Sequence, residues 1–365
     1  MKTIVIAHNY CETSFASMSY HLSHHLANLG NRVVFISHHP YFSKMQMIKK
    51  GNGELLVYSW PTEKRPTTIK DFFWFAKLYL KYKPDVVIGH FVGSNIVMSV
   101  SKIMSFGKVK TIEYYHTLSS QILEDLTQLT VKQRLFFIRK KIFYHWFCDL
   151  MICPSDLAKN DLKLFFGIQK GFVLLNPMVE RFKIKTVLPD DSIVLSYLGR
   201  LDSSKGVTDL IKSFIEYKKK SKDSRMILNI AGTGKQFIEI KALANENSDI
   251  KFLGGLSYDA IDEYLNNSHF VIIPSKFDNL PTVGLEAMMN QTPLLISNTT
   301  GLAHYLTEGK ECFKFNPNTD AMIALFDKVE RNFGIQEQMG INARTTFLNL
   351  FSMKNYLETF SKIIL

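Results

Sequence analysis

The feature that most constrains this fold is a regular alternation of short apolar runs with longer segments of helical periodicity. Runs such as KTIVIAH (2–8) and DVVIGHF (85–91) are rich in β-branched residues and end at polar or turn-forming residues. Helix-like segments such as 17–29 and 131–147 separate them, and the rhythm returns in the second half from SIVLSYLGR (192–200) onward. This alternation predicts parallel sheets whose right-handed crossover helices cover both faces.

Length and composition fit two units of this kind. The chain has 365 residues, more than one compact core usually holds, and its 46% hydrophobic and 21% charged residues are typical of globular proteins. The polar, turn-rich stretch 177–191 is the predicted linker. We therefore predict two doubly wound α/β domains, at 1–180 and 181–342, and a C-terminal helix at 343–365 whose expected contact is the first domain. Ligands are expected in a central cleft, at the carboxyl ends of the strands.

Several classes of protein are not expected. The four cysteines are scattered, and no His, Cys or carboxylate cluster has a metal-ligand spacing. The opening MKTIVIAHNY resembles a strand more than a signal peptide, and no apolar run reaches the roughly 18 residues of a membrane span. These observations predict a cytoplasmic protein with reduced thiols and no bound metal.

Positive charge is concentrated in the first half. Residues 1–180 hold 22 Lys and Arg against 12 Asp and Glu, a net charge of +10, whereas residues 181–365 have a net charge of +1. The segment VKQRLFFIRKKIFYHWF (131–147) alternates five cations with aromatic and aliphatic residues. The cations are Lys132, Arg134, Arg139, Lys140 and Lys141.

Two interpretations of the segment 131–147 remain open. It is either a basic amphipathic helix that lies on anionic lipid, or a core helix whose aromatic side chains pack on the sheet and whose cations are solvated. We expect part of it to pack in the core and its basic face to contact the inner face of the cytoplasmic membrane. Nucleic acid is not an expected partner, because no groove-reading or RNA-binding motif accompanies the charge.

Two glycine-containing motifs follow strand-like runs of the second half. In LGRLDSSKG, Gly199 allows a tight turn, and Arg200 and Lys205 place two cations at a strand end, where they suit a diphosphate. An isolated pair of cations is more often solvated, but this location favours the phosphate. In AGTGK, Gly232 and Gly234 let backbone amides approach a nucleotide, although a plain tight turn is an equal alternative.

The third motif is DNLPTVGLEAMM, in which Asp278 and Glu286 stand eight positions apart. Pro281 favours the first turn of a helix and opposes its interior, so we predict a loop through Asp278 and a helix that starts near Pro281. The start of this helix offers amides and a partial positive charge to a phosphate. The amides concerned are those of Thr282, Val283, Gly284 and Leu285. Glu286 lies in an apolar stretch where an unpaired charge is costly, which favours a binding role.

In this order, the three motifs resemble the C-terminal half of a retaining GT-B glycosyltransferase of family 4 (group 1). The segments HLSHHLANLGNRVVFIS and DLMICPSDLAKNDL are similar to parts of the family's N-terminal domain. The resemblance implies the GT-B architecture of two Rossmann-like domains, the first for the acceptor and the second for the nucleotide sugar. It also implies transfer with retention of anomeric configuration, and no cofactor or metal besides the donor.

The resemblance also implies roles for single residues. Arg200 and Lys205 would bind the donor diphosphate, and Glu286 the ribose hydroxyls. Asp278 matches a glutamate near the donor sugar, but its arm is shorter. His116, in EYYHT at a strand end, matches a histidine that contacts the sugar or the acceptor, with a structural histidine as an equal alternative.

Other positions depart from the family pattern or suggest a structural role. His90, in IGHF, is more typical of a structural residue. The usual glycine-rich loop is replaced by HNYCETSFAS, in which Thr13, Ser14 and Ser17 would supply hydroxyl donors. His304 stands where the family often has glutamate.

The sequence thus predicts a hexosyltransferase that uses a UDP-sugar or GDP-sugar. Its expected acceptor is a hydroxyl of a lipid-linked saccharide or oligosaccharide, in the biosynthesis of an envelope polysaccharide such as capsule or lipopolysaccharide. Two alternatives remain. A sugar-nucleotide 2-epimerase of the same fold would consume no acceptor. A binding-only subunit would not turn over, and Asp278, His304 and the glycine-poor loop motivate that possibility.

Overall fold

The computed structural model divides the chain into two compact units. It describes residues 1–8, 17–37, 45–62, 66–91, 93–124, 130–185, 188, 191–244 and 247–365. Unit 1 comprises Met1–Ser119, Gln128–Pro177 and Met353–Leu365, and unit 2 comprises Ser120–Thr127 and Met178–Ser352. The main passage from unit 1 to unit 2 thus falls at 177/178, close to the predicted 180/181. The return falls at 352/353, whereas the predicted boundary at 342/343 lies inside a helix.

Fourteen strands and thirteen α-helices form these units within the described residues. The strands are β1 (Thr3–Ala7), β2 (Arg32–Ser37), β3 (Gln46–Lys50), β4 (Gly53–Ser59), β5 (Val86–Gly89), β6 (Lys110–Tyr114), β7 (Leu150–Cys153), β8 (Gly171–Val173), β9 (Ile193–Leu198), β10 (Met226–Ala231), β11 (Ile250–Gly254), β12 (Phe270–Ile273), β13 (Leu294–Ser297) and β14 (Cys312–Phe315). The helices are α1 (Ser17–Asn28), α2 (Ile69–Tyr82), α3 (Ser94–Met104), α4 (Ser119–Glu124), α5 (Val131–Phe147), α6 (Asp156–Phe166), α7 (Val207–Lys220), α8 (Phe237–Leu243), α9 (Tyr258–Asn266), α10 (Thr282–Met289), α11 (Thr319–Arg331), α12 (Gln336–Leu350) and α13 (Met353–Ile364).

Both sheets are wound in the same order. The sheet of unit 2 runs β11-β10-β9-β12-β13-β14, with every neighbouring pair parallel. The sheet of unit 1 runs β3-β4-β2-β1-β5-β6-β7-β8, and its six inner strands repeat this order. Each sheet therefore reverses its winding once, between β9 and β12 in unit 2 and between β1 and β5 in unit 1. Such reversal points are where open α/β sheets bind ligands.

The predicted doubly wound α/β architecture is confirmed, with one departure at each edge of the first sheet. The strand β3 pairs with β4 in the antiparallel direction, and the short β8 extends the other edge. Neither was predicted, because β3 is a polar, largely exposed edge strand and β8 has only three residues. Antiparallel edge strands are common on otherwise parallel sheets.

Helices cover both faces of the sheet in unit 1. Leu22 of α1 and Phe360 of α13 are fully buried in one core, with Ile6 of the central strand. Phe75 of α2 and Val97 of α3 are fully buried in the core of the other face. The C-terminal helix α13 thus belongs to unit 1. Among the described residues, no helix is long and apolar enough to cross a bilayer.

Candidate functional site

The loop after β9 fixes Lys205 at the reversal point of unit 2. Lys205 ends a 3-10 turn at Ser203–Lys205, and α7 begins one residue after Gly206. Gly206 has a φ of 68°, and a Cβ added there would lie 2.2 Å from the carbonyl oxygen of Pro274, so this position requires glycine. The amide of Lys276 donates to the carbonyl of Ser204 at 2.8 Å. The loops after β9 and β12 are therefore joined backbone to backbone.

This junction brings together two of the predicted site residues, Lys205 and Asp278. The Nζ of Lys205 lies 2.5 Å from Oδ2 of Asp278, and the two side chains are only 16% and 14% exposed. The carbonyl of Asp278 also accepts a hydrogen bond from the amide of Gly301 at 3.0 Å, so the aspartate backbone is fixed. The ammonium group is thus held at the strand end by a carboxylate with which an arriving phosphate would compete.

Arg200 lies in the same loop but outside this pair. Its Nη1 contacts Oδ2 of Asp202 at 2.6 Å, and its side chain is 63% exposed. The backbone of Arg200 is fixed by the hydroxyl of Tyr197, which donates to its carbonyl at 2.6 Å. An anchored backbone with an exposed guanidinium lets the side chain move from Asp202 to a ligand at little cost.

The glycines of AGTGK make room for the neighbouring loop. A Cβ at Gly232 would lie 1.8 Å from the carbonyl oxygen of Gly199, and one at Gly234 would lie 2.5 Å from the amide nitrogen of Leu201. The amide of Leu201 donates to the carbonyl of Thr233 at 2.9 Å. Close packing of the two loops thus requires glycine at Gly232 and Gly234. These glycines support the loop that carries Arg200 and Lys205.

Helix α10 begins at Thr282, directly after Pro281, as the motif predicted. No side chain caps it, and an α-helix leaves the amides of its first turn without intrahelical acceptors. Thr282 and Val283 are accessible to solvent, whereas Leu285 is buried. Gly284 is also buried and its amide donates to the carbonyl of Pro281 at 3.0 Å. The accessible part of the helix start is therefore its first two residues, which suit an anion.

Glu286 is paired with Arg181. The Nη2 of Arg181 lies 3.1 Å from Oε1 of Glu286, and its Nε lies 3.1 Å from Oδ2 of Asp262. The side-chain Nδ2 of Asn290 donates to Oδ1 of Asp262 at 2.9 Å, and the guanidinium stacks 4.3 Å from the ring centre of Tyr258. Burial raises the pKa of Glu286, and Arg181 opposes that rise. The arginine thus favours the ionised carboxylate.

Arg181 is the residue that the sequence did not indicate. It lies in the stretch predicted to be a linker, 105 residues away from Glu286 along the chain. The available signal was the cost of an unpaired Glu286 in an apolar helix, which requires a partner cation without locating it.

In unit 1, His116 belongs to a cluster of three histidines. His8 follows β1, His90 follows β5 and His116 follows β6, so the three lie at one end of adjacent strands. Nδ1 of His90 lies 3.0 Å from Nε2 of His116, and the rings of His8 and His90 stack with centroids 4.2 Å apart. Burial lowers the pKa of His8 to about 3 and holds the pKa of His90 and His116 well below the ordinary value. All three rings are therefore neutral at physiological pH.

Of the remaining candidates, those that the structure describes contribute no further group to these clusters. Thr13 and Ser14 lie outside the described residues, and Ser17 is the buried first residue of α1. His304 is exposed in a 3-10 turn at Leu302–Tyr305. Among the described residues, no three His, Cys, Asp or Glu side chains are grouped so as to hold a metal ion.

Two protein-family models match the chain. The model described as "Glycosyl transferases group 1" matches residues 178–346, and the model described as "Glycosyltransferase Family 4" matches residues 16–177. The matches adjoin where the chain passes from unit 1 to unit 2. Together they cover nearly the whole chain.

Individual relatives are distant. An uncharacterized glycosyltransferase of Methanocaldococcus jannaschii is 25% identical over 213 residues, which are 57% of this chain and 54% of the relative. A capsular polysaccharide biosynthesis glycosyltransferase of Staphylococcus aureus is 26% identical over 209 residues, which are 55% of this chain and 54% of the relative. The matches thus span about half the length of these relatives.

Solved structures share the fold over the full chain. Sucrose-phosphate synthase from Thermosynechococcus elongatus has a TM-score of 0.78 at 14% identity, with 100% of this chain and 98% of that chain covered. The lipopolysaccharide outer core galactosyltransferase WaaB has a TM-score of 0.73 at 18% identity, with coverage of 100% and 99%. HepE of Anabaena, in complex with UDP, has a TM-score of 0.71 at 12% identity and the same coverage. The chain therefore belongs to the glycosyltransferases of group 1 and family 4, as its motifs predicted, and has the GT-B fold.

Proposed function

We propose that this protein transfers a hexose-type sugar from a nucleotide diphosphate sugar to a hydroxyl of a saccharide, with retention of configuration and without a metal ion. The observation that carries the proposal is the Lys205–Asp278 pair at the reversal point of unit 2. Lys205 follows β9, and the uncapped start of α10 follows β12, the neighbouring strand. A cation and a helix N-terminus at adjacent strand ends suit a diphosphate.

The donor would bind through both ends of its nucleotide diphosphate. Lys205, Arg200 and the amides of Thr282 and Val283 would hold the phosphates. Glu286 would accept hydrogen bonds from the ribose hydroxyls through Oε2, because Oε1 is engaged by Arg181. Cations that neutralise the departing diphosphate stabilise the charge that develops in the transition state.

The chemical step would be attack by the acceptor hydroxyl on the face from which the diphosphate leaves. The bond between the anomeric carbon and the phosphate oxygen breaks as the new glycosidic bond forms. The hydroxyl proton passes to the departing phosphate, so charge and atoms balance without a protein base. Asp278 would contact a sugar hydroxyl once phosphate has displaced it from Lys205, and His116 would contact the donor sugar or the acceptor.

Relatives narrow the choice of donor and setting. HepE of Anabaena has been solved with UDP and with UDP-glucose. The relative from Staphylococcus aureus acts in capsular polysaccharide biosynthesis, and WaaB is a lipopolysaccharide galactosyltransferase. These names support a UDP-hexose as the first donor to test, with a GDP-hexose as the second. They also support an envelope polysaccharide as the product, and we propose that it is built on a lipid-linked saccharide.

An assay for nucleotide release tests this proposal. With UDP-glucose, UDP-galactose or GDP-mannose and a membrane extract that contains lipid-linked saccharides, we expect release of the nucleotide diphosphate in the presence of EDTA. The anomeric proton coupling of the product should match that of the donor. A nucleotide sugar with inverted C2 would indicate the epimerase instead. Donor binding without turnover on any acceptor would indicate the binding-only subunit.

Membrane contact is proposed for the helix layer of unit 1 formed by α2, α3 and α5. In α5 only Tyr144 is buried, and Trp146 is 77% exposed. Large exposed hydrophobic residues of the layer and its ends are Val131, Leu135, Phe136, Ile138, Ile142 and Trp146 on α5, Ile69, Phe72, Phe73 and Leu80 on α2, and Ile103 and Phe106 on or next to α3. In unit 2, the described helices α7 and α11 expose no large hydrophobic residue, whereas α8 exposes Ile238 and Leu243 and α12 exposes Ile341, Leu348 and Leu350. Apolar side chains mixed with cations suit an anionic bilayer surface.

The cations of α5 are not equivalent. Lys140 lies among the rings of Tyr115, Phe136, Tyr144 and Phe166, with Nζ 5.3 to 5.8 Å from their centres. Burial lowers its pKa. Arg139 and Lys141 are exposed. Lys140 is therefore a packing residue, and the charge available to a membrane comes from its neighbours.

Reversal of charge at Arg139 and Lys141 to glutamate should weaken sedimentation with anionic liposomes by at least 30-fold. A basic residue near an anionic surface contributes about 1 kcal/mol, and each reversal removes one attraction and adds one repulsion. Lys212→Glu with Lys219→Glu, on exposed positions of α7, makes the same change of net charge in unit 2 and should leave binding nearly unchanged. Equal losses of liposome binding in both double variants would show that the effect depends on net charge alone. No loss in either variant would contradict the membrane proposal.

A further inference from the structure

A continuous hydrogen-bonded chain ends at His116. Nδ1 of His8 lies 2.6 Å from Oγ of Ser19, which lies 3.2 Å from Nε2 of His90. Nδ1 of His90 then lies 3.0 Å from Nε2 of His116. His8, Ser19 and His90 are buried, whereas His116 is partly accessible to solvent. This hydrogen-bonded chain of side chains therefore connects the interior of unit 1 to His116, the histidine for which substrate contact was expected.

Stacking fixes the central ring of this chain. One face of His90 stacks on His8, with centroids 4.2 Å apart, and it also stacks on Tyr114 at 3.9 Å. The hydroxyl of Tyr114 lies 2.6 Å from that of Tyr356, so the C-terminal helix α13 holds Tyr114 in place. A ring packed between two others does not turn over easily. Both nitrogens of His90 thus keep their partners.

The number of protons in the chain limits its arrangements. A neutral imidazole has one N–H and one acceptor nitrogen, and a serine hydroxyl has one proton. If Nδ1 of His90 donates to His116, then Nε2 of His90 must accept from Ser19, and Ser19 accepts from His8. In the opposite arrangement, Nε2 of His116 donates to His90, which donates to Ser19. The two arrangements give His116 opposite tautomers, so its tautomer changes only if every proton of the hydrogen-bonded chain shifts together.

We propose that one of these two proton orders prevails, so that His8, Ser19 and His90 act as positioning residues that fix the tautomer of His116. A fixed tautomer makes Nδ1 of His116, which is buried in the ligand-free protein, either a donor or an acceptor toward a sugar hydroxyl that reaches it. The functional part rests on the proposed function, in which His116 contacts the sugar. The structural part concerns the ligand-free protein alone. Without the chain both tautomers are populated, and apparent affinity falls by the fraction that is competent.

Ser19→Ala cuts the chain at its centre and leaves the stacked rings in place. Ser23→Ala is the matched control, because Ser23 is also buried in α1 and donates to the backbone carbonyl of Ser19 at 2.8 Å. The readout is the pair of ring ¹⁵N chemical shifts of His116 in ligand-free protein, assigned with His116→Gln. We expect wild type and Ser23→Ala to show one tautomer, and Ser19→Ala to show shifts averaged between two tautomers.

A second variant guards against misfolding of the first. His90→Asn places an amide near the position of Nδ1, so it keeps a hydrogen bond to His116 and loses the link to Ser19. An amide both donates and accepts, so this variant should also show averaged His116 shifts. Shifts of His116 that match wild type in both folded variants, or averaged shifts in wild type itself, would overturn the proposal.

Kinetics separate this inference from the proposed function. If both hold, Ser19→Ala should raise KM for one substrate about twofold, as expected when about half of the molecules have the competent tautomer, whereas Ser23→Ala should not. If no sugar transfer is found, the proposed function fails. The ¹⁵N shifts still show whether the hydrogen-bonded residues fix the tautomer of His116. An averaged tautomer with unchanged KM would overturn the functional part of the inference.

Discussion

Replacement of Lys205 by methionine is expected to lower kcat/KM for the nucleotide sugar by about 10²–10³-fold, the usual cost of one lost group that stabilises transition-state charge. Lys205 is the mostly buried cation at the reversal point, with its Nζ 2.5 Å from Asp278. Arg200 is mostly exposed and has a second carboxylate partner, so it should compensate only in part. The measurement is steady-state release of the nucleotide diphosphate.

The same change also affects stability, because it leaves Asp278 without its cation. Breaking a buried ion pair costs about 3–5 kcal/mol, and partial exposure of Asp278 should keep the loss of unfolding free energy below that range. Asp278→Asn in addition to Lys205→Met removes the uncompensated charge. The double variant should therefore regain stability in urea unfolding without regaining turnover.

Lys218→Met is the matched control for Lys205→Met. Lys218 is 14% exposed, and its Nζ lies 2.8 Å from Asp249, which directly precedes β11. It therefore lies at the end of the sheet opposite to the proposed diphosphate site. We expect this variant to lose stability and to keep turnover. A Lys205→Met enzyme with turnover close to wild type would refute the proposed role of Lys205.

Local chemistry explains which parts of this fold were predictable. The apolar runs predicted the inner strands correctly, because parallel strands that are covered on both faces need continuous apolar sequence. Pro281 gave the start of α10, because proline is accepted at a helix start and opposed in its interior. Both signals are contained in a few neighbouring residues.

Pairings across the chain were not predictable in this way. The tie between Arg181 and Glu286 joins positions 105 residues apart, and no periodicity marks an arginine in a loop as the partner of a helix carboxylate. His8 reaches His90 only because β1 and β5 are neighbours at the reversal point. The sequence pattern indicated that Lys140 was a surface cation, because sequence spacing does not reveal the four rings around its ammonium group.

Arg181→Met is the change with the second large expected effect, because Arg181 supports two buried carboxylates at once. Loss of a hydrogen bond to a charged group costs about 1.5–3 kcal/mol, so donor KM should rise about 10-fold to 100-fold as Glu286 loses its orientation. Unfolding free energy at neutral pH should fall by about 3–5 kcal/mol, because Asp262 and Glu286 stay buried without a cation. For Arg181→Lys, donor KM and unfolding free energy should lie between those of the wild type and of Arg181→Met. Lysine keeps the positive charge but lacks the planar guanidinium that bonds two carboxylates.

The pH dependence distinguishes this role from simple packing. Burial raises the pKa of Glu286 and Arg181 opposes the rise, so the variant should have a still higher Glu286 pKa. A raised carboxyl pKa stabilises the folded state below the ordinary pKa of glutamate and loses that contribution as pH rises through the folded pKa. The stability deficit of Arg181→Met should therefore be large at pH 8 and smaller at pH 4. Urea unfolding at both values measures it.

Donor binding should follow the same titration, since Glu286 accepts hydrogen bonds from ribose best as a carboxylate. The acidic limb of the kcat/KM profile should thus move to higher pH in Arg181→Met. Arg344→Met is the control, because Arg344 donates to the carbonyl of Met289 at 2.7 Å, pairs with Glu180 and stacks on Phe182 at 3.7 Å. It therefore anchors the same loop and the same helix through partners other than Glu286. It should lose stability and keep both donor KM and the acidic limb. If donor KM and the acidic limb are also unchanged in Arg181→Met, then Arg181 only anchors the loop. Glu286 would then bind ribose without help from Arg181.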